Sequence, residues 1–260
     1  VKMSGSESTA RLSGAAALAI CLVGAAIAWK PADIYYTPER MRHYGDGYIS
    51  KIQNPSMSDA ELKEKTQRAI FERRLFVGVV TAIWGATVCG LLGLAGGAVR
   101  KSAGGAAAAL AGGAALGAAI GLVAGFSGQY VAEKYPITRF DTDLAQMTKT
   151  MCYHSLVYGL LGLATGIAYS LFARGKTRPA LAVATATFGG AAAGMAFTPL
   201  ASVAFPLVDT TSIVPLGALA RLTWFCLPAL FAGAALAFVD RRSGTARAAE
   251  PAAVSSPAPA

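Results

Sequence analysis

The sequence predicts an all-α, polytopic integral membrane bundle of six transmembrane helices held by small-residue, GxxxG-type packing. Three observations lead there. Of 260 residues, 54% are hydrophobic and only 14% charged, and the mean hydropathy is +0.48, too apolar for an ordinary water-soluble domain. Six runs reach the length of about 20 apolar residues needed to cross roughly 30 Å of hydrocarbon. They are 12–29, 75–98, 103–128, 152–173, 180–203 and 218–239. Within the third run, small residues recur at every fourth position, a glycine-zipper row of Gly105, Ala109, Gly113, Gly117, Gly121 and Gly125.

The first segment, 1–29, is a tail followed by a span that ends in Trp29-Lys30, a good interfacial anchor. Ala26-Ile27-Ala28 also has the small-x-small form of a signal-peptidase site. The packing face Ala17, Cys21, Ala25 runs the length of the span and favours an uncleaved anchor. Segment 30–74 is an extramembrane loop whose Tyr35, Tyr36, Tyr44 and Tyr48 suit an interfacial belt, with Thr37-Pro38 a plausible helix start. Its second half, 59–74, is an amphipathic helix introduced by the capping box Ser58…Glu61. Nothing breaks it before the second span, so one helix should run from 59 to about 98.

Segment 75–128 is a hairpin of spans 2 and 3. Hydrocarbon offers the backbone no alternative partner, so the glycine-rich span stays helical, and glycines four apart let two backbones meet. An i, i+4 row turns about 40° per step on a 3.6-residue helix. Five steps wrap too far for one straight partner, so this helix should be central and touch at least two others. Matching rows lie on span 2 (Gly85, Cys89, Gly93, Gly97), span 4 (Gly162, Gly166, Ser170) and span 5 (Ala182, Ala186, Gly190, Gly194).

A loop, 129–151, leads to the second hairpin, 152–203. Gly90-Leu-Leu-Gly-Leu-Ala95 recurs as Gly159-Leu-Leu-Gly-Leu-Ala164, and Gly112-Gly-Ala-Ala-Leu-Gly117 resembles Gly189-Gly-Ala-Ala-Ala-Gly194, at offsets of 69 and 77. Either the hairpin is duplicated in parallel orientation, or alanine-and-glycine sequence repeats itself by chance. Segment 204–239 combines a loop or re-entrant stretch, suggested by Pro199, Pro206 and Pro215, with span 6. Small and Pro-rich, the tail 240–260 has a disordered composition.

The net charge of +9 could suggest nucleic acid, but the bases cluster beside apolar runs, as membrane-anchoring charge does. The expected partners are therefore the lipid bilayer and other membrane subunits or a second copy, with no nucleic acid and no cofactor. Lys2, Arg11, Arg100, Lys101, Arg174, Lys176, Arg178, Arg241, Arg242 and Arg247 fall in short segments on one side. By the positive-inside rule this puts both termini in the cytoplasm, in a bacterial inner membrane.

No acidic residue lies within the six runs, which argues against an ion-coupled carrier. The single intramembrane charge is Arg221, placed to snorkel or to pair with Asp209. Cys21, Cys89, Cys152 and Cys226 lack metal-ligand spacing and read as packing residues. Asp141, Asp143 and His154 are the candidate metal ligands, an incomplete shell of two carboxylates and an imidazole.

Gly125-Phe126-Ser127-Gly128 resembles the Gly-x-Ser-Gly of rhomboid intramembrane proteases, which also have six spans. The resemblance implies a nucleophile at Ser127 and a histidine base, for which His154, near the same membrane face, is the candidate. The chain departs from that family in carrying its serine on the third span and no histidine after 154. No catalytic signature outweighs a structural one, so the expected function is a structural or complex-assembly membrane subunit. A small-solute channel or transporter is the alternative and an intramembrane serine hydrolase the third.

Overall fold

The computed structural model describes residues 12–36, 56–99, 103–138, 140–173, 178–208 and 211–248. Among these, six helices are long and apolar enough to span a membrane, and there is no strand. In chain order they are α1 (Gly14–Tyr35), α2 (Asp59–Val99), α3 (Ala103–Lys134), α4 (Asp143–Ala168, closed by a π turn, Tyr169–Ala173), α5 (Pro179–Ala204) and α6 (Ala218–Ala248). The protein is a multi-pass integral membrane protein.

Local chemistry sets the helix starts. Ser13 and Thr142 accept from the backbone N–H groups of Ala16 and Ala145, and Ser58 Oγ accepts from Glu61 N–H at 3.2 Å. α2 then continues unbroken for 41 residues, from the polar collar through the membrane. Helices α1 and α5 run through Pro31 and Pro199 instead of ending there. In each case the prolyl ring removes a single ladder bond close to the helix end, where little remains to be broken. The expected break at Pro199 is thus displaced to Phe205. At the far end α6 reaches Ala248, past Ser243 where the composition changes, because the intervening Ala, Arg and Thr residues sustain a helix. Residues 37–55, with Thr37-Pro38, Tyr44 and Tyr48, and 249–260 lie outside the described residues.

The helices pair as three antiparallel hairpins. α2 packs most extensively on α3, α4 on α5, and α6 on α1, the last uniting the two ends of the chain. Each outward helix then touches the inner helix of the next pair, α3 on α4, α5 on α6 and α1 on α2, which closes a ring. α2, α4 and α6 are the more buried members and α1, α3 and α5 the more exposed. Aromatic side chains fill the space between the inner helices. Trp84 Nε1 donates to Phe225 O at 2.8 Å, and the rings of Tyr158 and Trp224 meet edge to face at 5.4 Å.

Within the first hairpin the backbones touch at successive levels. A Cβ on Gly97 would strike Ala106, one on Gly93 would strike Ala109, one on Gly113 Cys89, one on Gly85 Gly117, and one on Gly121 Thr81. The second hairpin interlocks in the same register, through Gly166 with Val183, Gly162 with Ala186, Gly190 with Tyr158 and Gly194 with His154. Adding 69 to each α2 position and 77 to each α3 position reproduces these pairs. The difference between the two offsets falls in the π turn and the 174–178 connection.

One expectation fails here. α3 is the least buried of the six helices, not a central one. Its buried positions are Ala106, Gly113, Gly117, Gly121, Ala124, Gly125, Gly128 and Gln129, with Ala109 half-buried, whereas Gly105 is exposed. Mixed steps of three and four along Ala106, Ala109, Gly113, Gly117, Gly121, Ala124 and Gly128 average about 3.7 residues, a period that scarcely drifts around the helix. α2 therefore covers the face from Ala106 to Gly125, while α4 and its closing turn are met along the flank, at Gly112 against Phe172 and at Gly128 against Val157, so α3 touches two neighbours as expected without being central.

Candidate functional site

Ser127 and His154 do not form a catalytic pair. Ser127 is half-buried on α3, and its neighbour Gly128 packs on Val157 of α4. His154 is fully buried and turned toward α5, its ring 4.8 Å from that of Phe197 and 5.9 Å from that of Tyr158. Its Nδ1 lies 3.0 Å from Thr150 O. Among the described hydrogen bonds none links the serine to the histidine, whose ring faces α5 and the backbone of Ser212 and Ile213 instead.

The three candidate metal ligands are also kept apart. Asp141 accepts from Thr138 N–H at 2.6 Å and from Lys149 Nζ at 2.9 Å. The backbone donor first, and then the ammonium, hold its carboxyl below the usual carboxylate range. Asp143 occupies the exposed first turn of α4, where the helix dipole favours a carboxylate. Among the described residues no three His, Cys, Asp or Glu side chains gather as a metal would require. Of the cysteines, Cys21 and Cys89 are buried, Cys226 is half-buried and Cys152 is exposed, so packing accounts for the first two.

Arg221 is 6% exposed, which rules out snorkelling to open water. Asp209 lies outside the described residues, and the carboxylate Arg221 meets belongs to Asp33, at the end of α1, with Nε donating to Oδ1 at 3.1 Å. The same guanidinium donates to Pro215 O at 3.0 Å and to Leu216 O, and lies over the Tyr36 ring, 4.6 Å from its centroid. Tyr36 in turn donates to Val214 O at 2.7 Å. It is therefore a buried strut rather than an interfacial tyrosine. Together Arg221 and Tyr36 pin 211–217 over the ends of α4, α5 and α6.

Beneath that segment lies a second cluster that sequence reasoning had not assembled. His154, Tyr158 and Trp224 are fully buried and Thr198 nearly so. The Nε2, OH, Nε1 and Oγ1 atoms of these four, together with Ser155 Oγ, have no hydrogen-bond partner. Buried polar atoms ordinarily do. A signal existed in the i, i+4 spacing of His154 and Tyr158 inside an apolar run, but Thr198 and Trp224 join them only through packing.

On the opposite side of the same end, Arg74 of α2 pairs with Glu133 of α3 at 2.6 Å and lies 4.8 Å from the Tyr130 ring centroid. This clamps the first hairpin where it leaves the apolar region. Compared with family models, curated proteins and solved structures, the chain matches none.

Proposed function

We propose that the protein is a structural subunit of a membrane assembly that receives another transmembrane helix on the outward face of α3. The observation that carries this reading is the composition of that face. Gly104, Ala108, Ala111, Ala115 and Ala119 are all exposed, a row of small residues flanked by Leu110 and closed by Leu122 and Val123. The outward face of α5, by contrast, presents Phe188, Met195, Leu200 and Val203. Helices associate in lipid through close approach of small-residue faces, with no hydrophobic effect between them. A large side chain serves contact with lipid better, so the bare row suits a helix partner. Such a partner is a subunit of the same membrane or a second copy of the chain. The bases at 100–101 and 174–178 support a reading with both termini cytoplasmic, in a bacterial inner membrane.

Ala108→Leu with Ala115→Leu tests the reading, because both positions are exposed and the substitutions add bulk only outside the bundle. The native protein, purified from its own membrane, should carry a companion helix or form an oligomer by mass in detergent. The double variant should lose it with unchanged melting. A native protein that is monomeric and alone overturns the proposal. Solute conduction is the second reading, favoured by the unpaired polar cluster under 211–217. Flux of a small solute in proteoliposomes, abolished by Tyr158→Phe, would put it first.

A further inference from the structure

We propose that His154, Tyr158, Thr198 and Trp224 form an intramembrane binding site for a small hydroxylic molecule, water or a short polyol, held beneath 211–217. The inference is independent of any assembly through α3.

Three observations carry it. First, the polar atoms are buried and have no partner among the described residues, and their residues are neighbours: Tyr158 meets Trp224 at 5.4 Å and His154 at 5.9 Å between centroids, and Thr198 lies one turn beyond Gly194, which meets the backbone of His154. A buried donor or acceptor without a partner is costly, and most costly in hydrocarbon. Four gathered under one segment call for a partner.

Second, their chemistry specifies that partner. Thr150 O can only accept, so Nδ1 of His154 carries the hydrogen, and Nε2 of the neutral ring presents a lone pair. Trp224 can only donate, whereas the hydroxyls of Tyr158 and Thr198 do either. None of the four carries a fixed charge. The matching ligand is neutral and offers both an O–H and an oxygen acceptor, as water and small alcohols do.

Third, the first hairpin acts as an internal control. In its identical register the positions of His154, Ser155, Tyr158 and Thr198 are held by Gly85, Ala86, Cys89 and Gly121. Interlocking two such helices therefore needs only small residues there. Packing gives no reason for a histidine, two hydroxyl groups and a tyrosine at these places, and a ligand does. The roof is suited to the purpose. Thr198 and Trp224 lie six residues from the ends of α5 and α6, about 9 Å into the membrane. Above them Ile213 and Val214 are buried, with the backbone of Ser212 and Ile213 beside the histidine ring.

The test uses the full chain in lipid nanodiscs with ¹⁵N-labelled tryptophan and histidine. Trp224→Phe and His154→Phe assign the signals. If water is the occupant, magnetisation from bulk water reaches the Trp224 indole N–H, and added glycerol leaves its shift unchanged. If a polyol is, glycerol shifts the Trp224 and His154 Nε2 signals saturably, with no change at Trp84, whose N–H already donates to Phe225 O. In the near-isosteric Tyr158→Phe, Thr198→Val double variant, shown to be folded by its melting curve, glycerol affinity should drop by about tenfold and water transfer should be lost. An indole N–H in the native protein that neither exchanges with water nor responds to glycerol overturns the proposal. So does a response that survives the double variant unchanged.

Discussion

Replacing Gly85 by alanine adds one methyl group where α2 and α3 touch backbone to backbone. The new Cβ would lie 2.7 Å from the carbonyl carbon of Gly117 and closer still to its oxygen. Ordinary contact begins near 3.4 Å, and a backbone atom cannot rotate aside, so the helices must part by about 1 Å. A gap of that size forfeits up to half the dispersion energy of the atom pairs it opens, each worth about 0.1–0.2 kcal/mol. With some thirty pairs in the affected level and its two neighbours, the loss is about 2 kcal/mol. Alanine's better helix propensity returns at most about 1 kcal/mol, which leaves a net destabilisation of about 1–2 kcal/mol. Unfolding in mixed micelles by increasing dodecyl sulfate, followed by tryptophan fluorescence, measures it. Gly104→Ala is the control, because its Cβ meets nothing within 4 Å. Equal stability of the two variants would refute backbone contact as the source of hairpin strength. Gly117→Leu likewise probes the fold of the hairpin and not assembly with a partner.

Two further outcomes follow from the polar end of the bundle. Arg221→Met strands Asp33 and frees the carbonyls of Pro215 and Leu216, so it should cost about 3 kcal/mol in the same assay. Asp33→Asn introduced with it should recover part of that, and a purely additive double variant would mean the pair is not coupled. Asp141, held below its ordinary value of 3.8, contributes stability that is present above the unfolded carboxylate pKa and lost as pH falls through its depressed folded value. Carboxyl NMR should show its midpoint below 3.8, and Lys149→Met should raise that midpoint without fully restoring it, since the Thr138 N–H remains. A native midpoint at or above 3.8 would contradict the assigned contacts.

Element type and order were legible because a bilayer allows so little else: a long apolar run must satisfy its own backbone, and only a helix does so within one segment. The length of α2 was readable too, from Ser58 and Glu61 and the lack of any breaker up to Val99. The position of α3 was not. A strict fourfold row and the 3.7-residue face that the structure buries share Gly113, Gly117 and Gly121 and differ mainly at Gly105 and Ala106. Yet the first wraps around the helix and implies a central place, whereas the second keeps to one side and leaves the opposite face exposed. With nearly every residue small, hydropathy cannot choose between the faces, and only the partner's own glycines, Gly85, Gly93 and Gly97, do so. Arg221 was misassigned for a related reason: Asp209 is near in sequence, whereas Asp33 is brought to it by the α1–α6 pairing, which no local pattern records.

The two interlocked hairpins also show where the fold leaves room for chemistry. At the end nearest Val99 and Ala103 both keep glycines against the partner backbone, Gly93 and Gly97 on Ala109 and Ala106, Gly162 and Gly166 on Ala186 and Val183. Toward the other end the first hairpin continues in this way to Gly125 and fixes Thr81 by a hydroxyl bond to Gly121 O at 2.6 Å, leaving its polar group satisfied. The second departs from small residues from Tyr158 onward and leaves four of its polar atoms unpaired. Because the spacing is already set by the glycines at one end, the other end can carry bulky polar groups without loss of the hairpin. The structure confines that freedom to the place where Arg221 and Tyr36 hold a cover across it. A cluster that arose only from loose packing would have no reason to lie under a connection held by a buried guanidinium and a buried tyrosine.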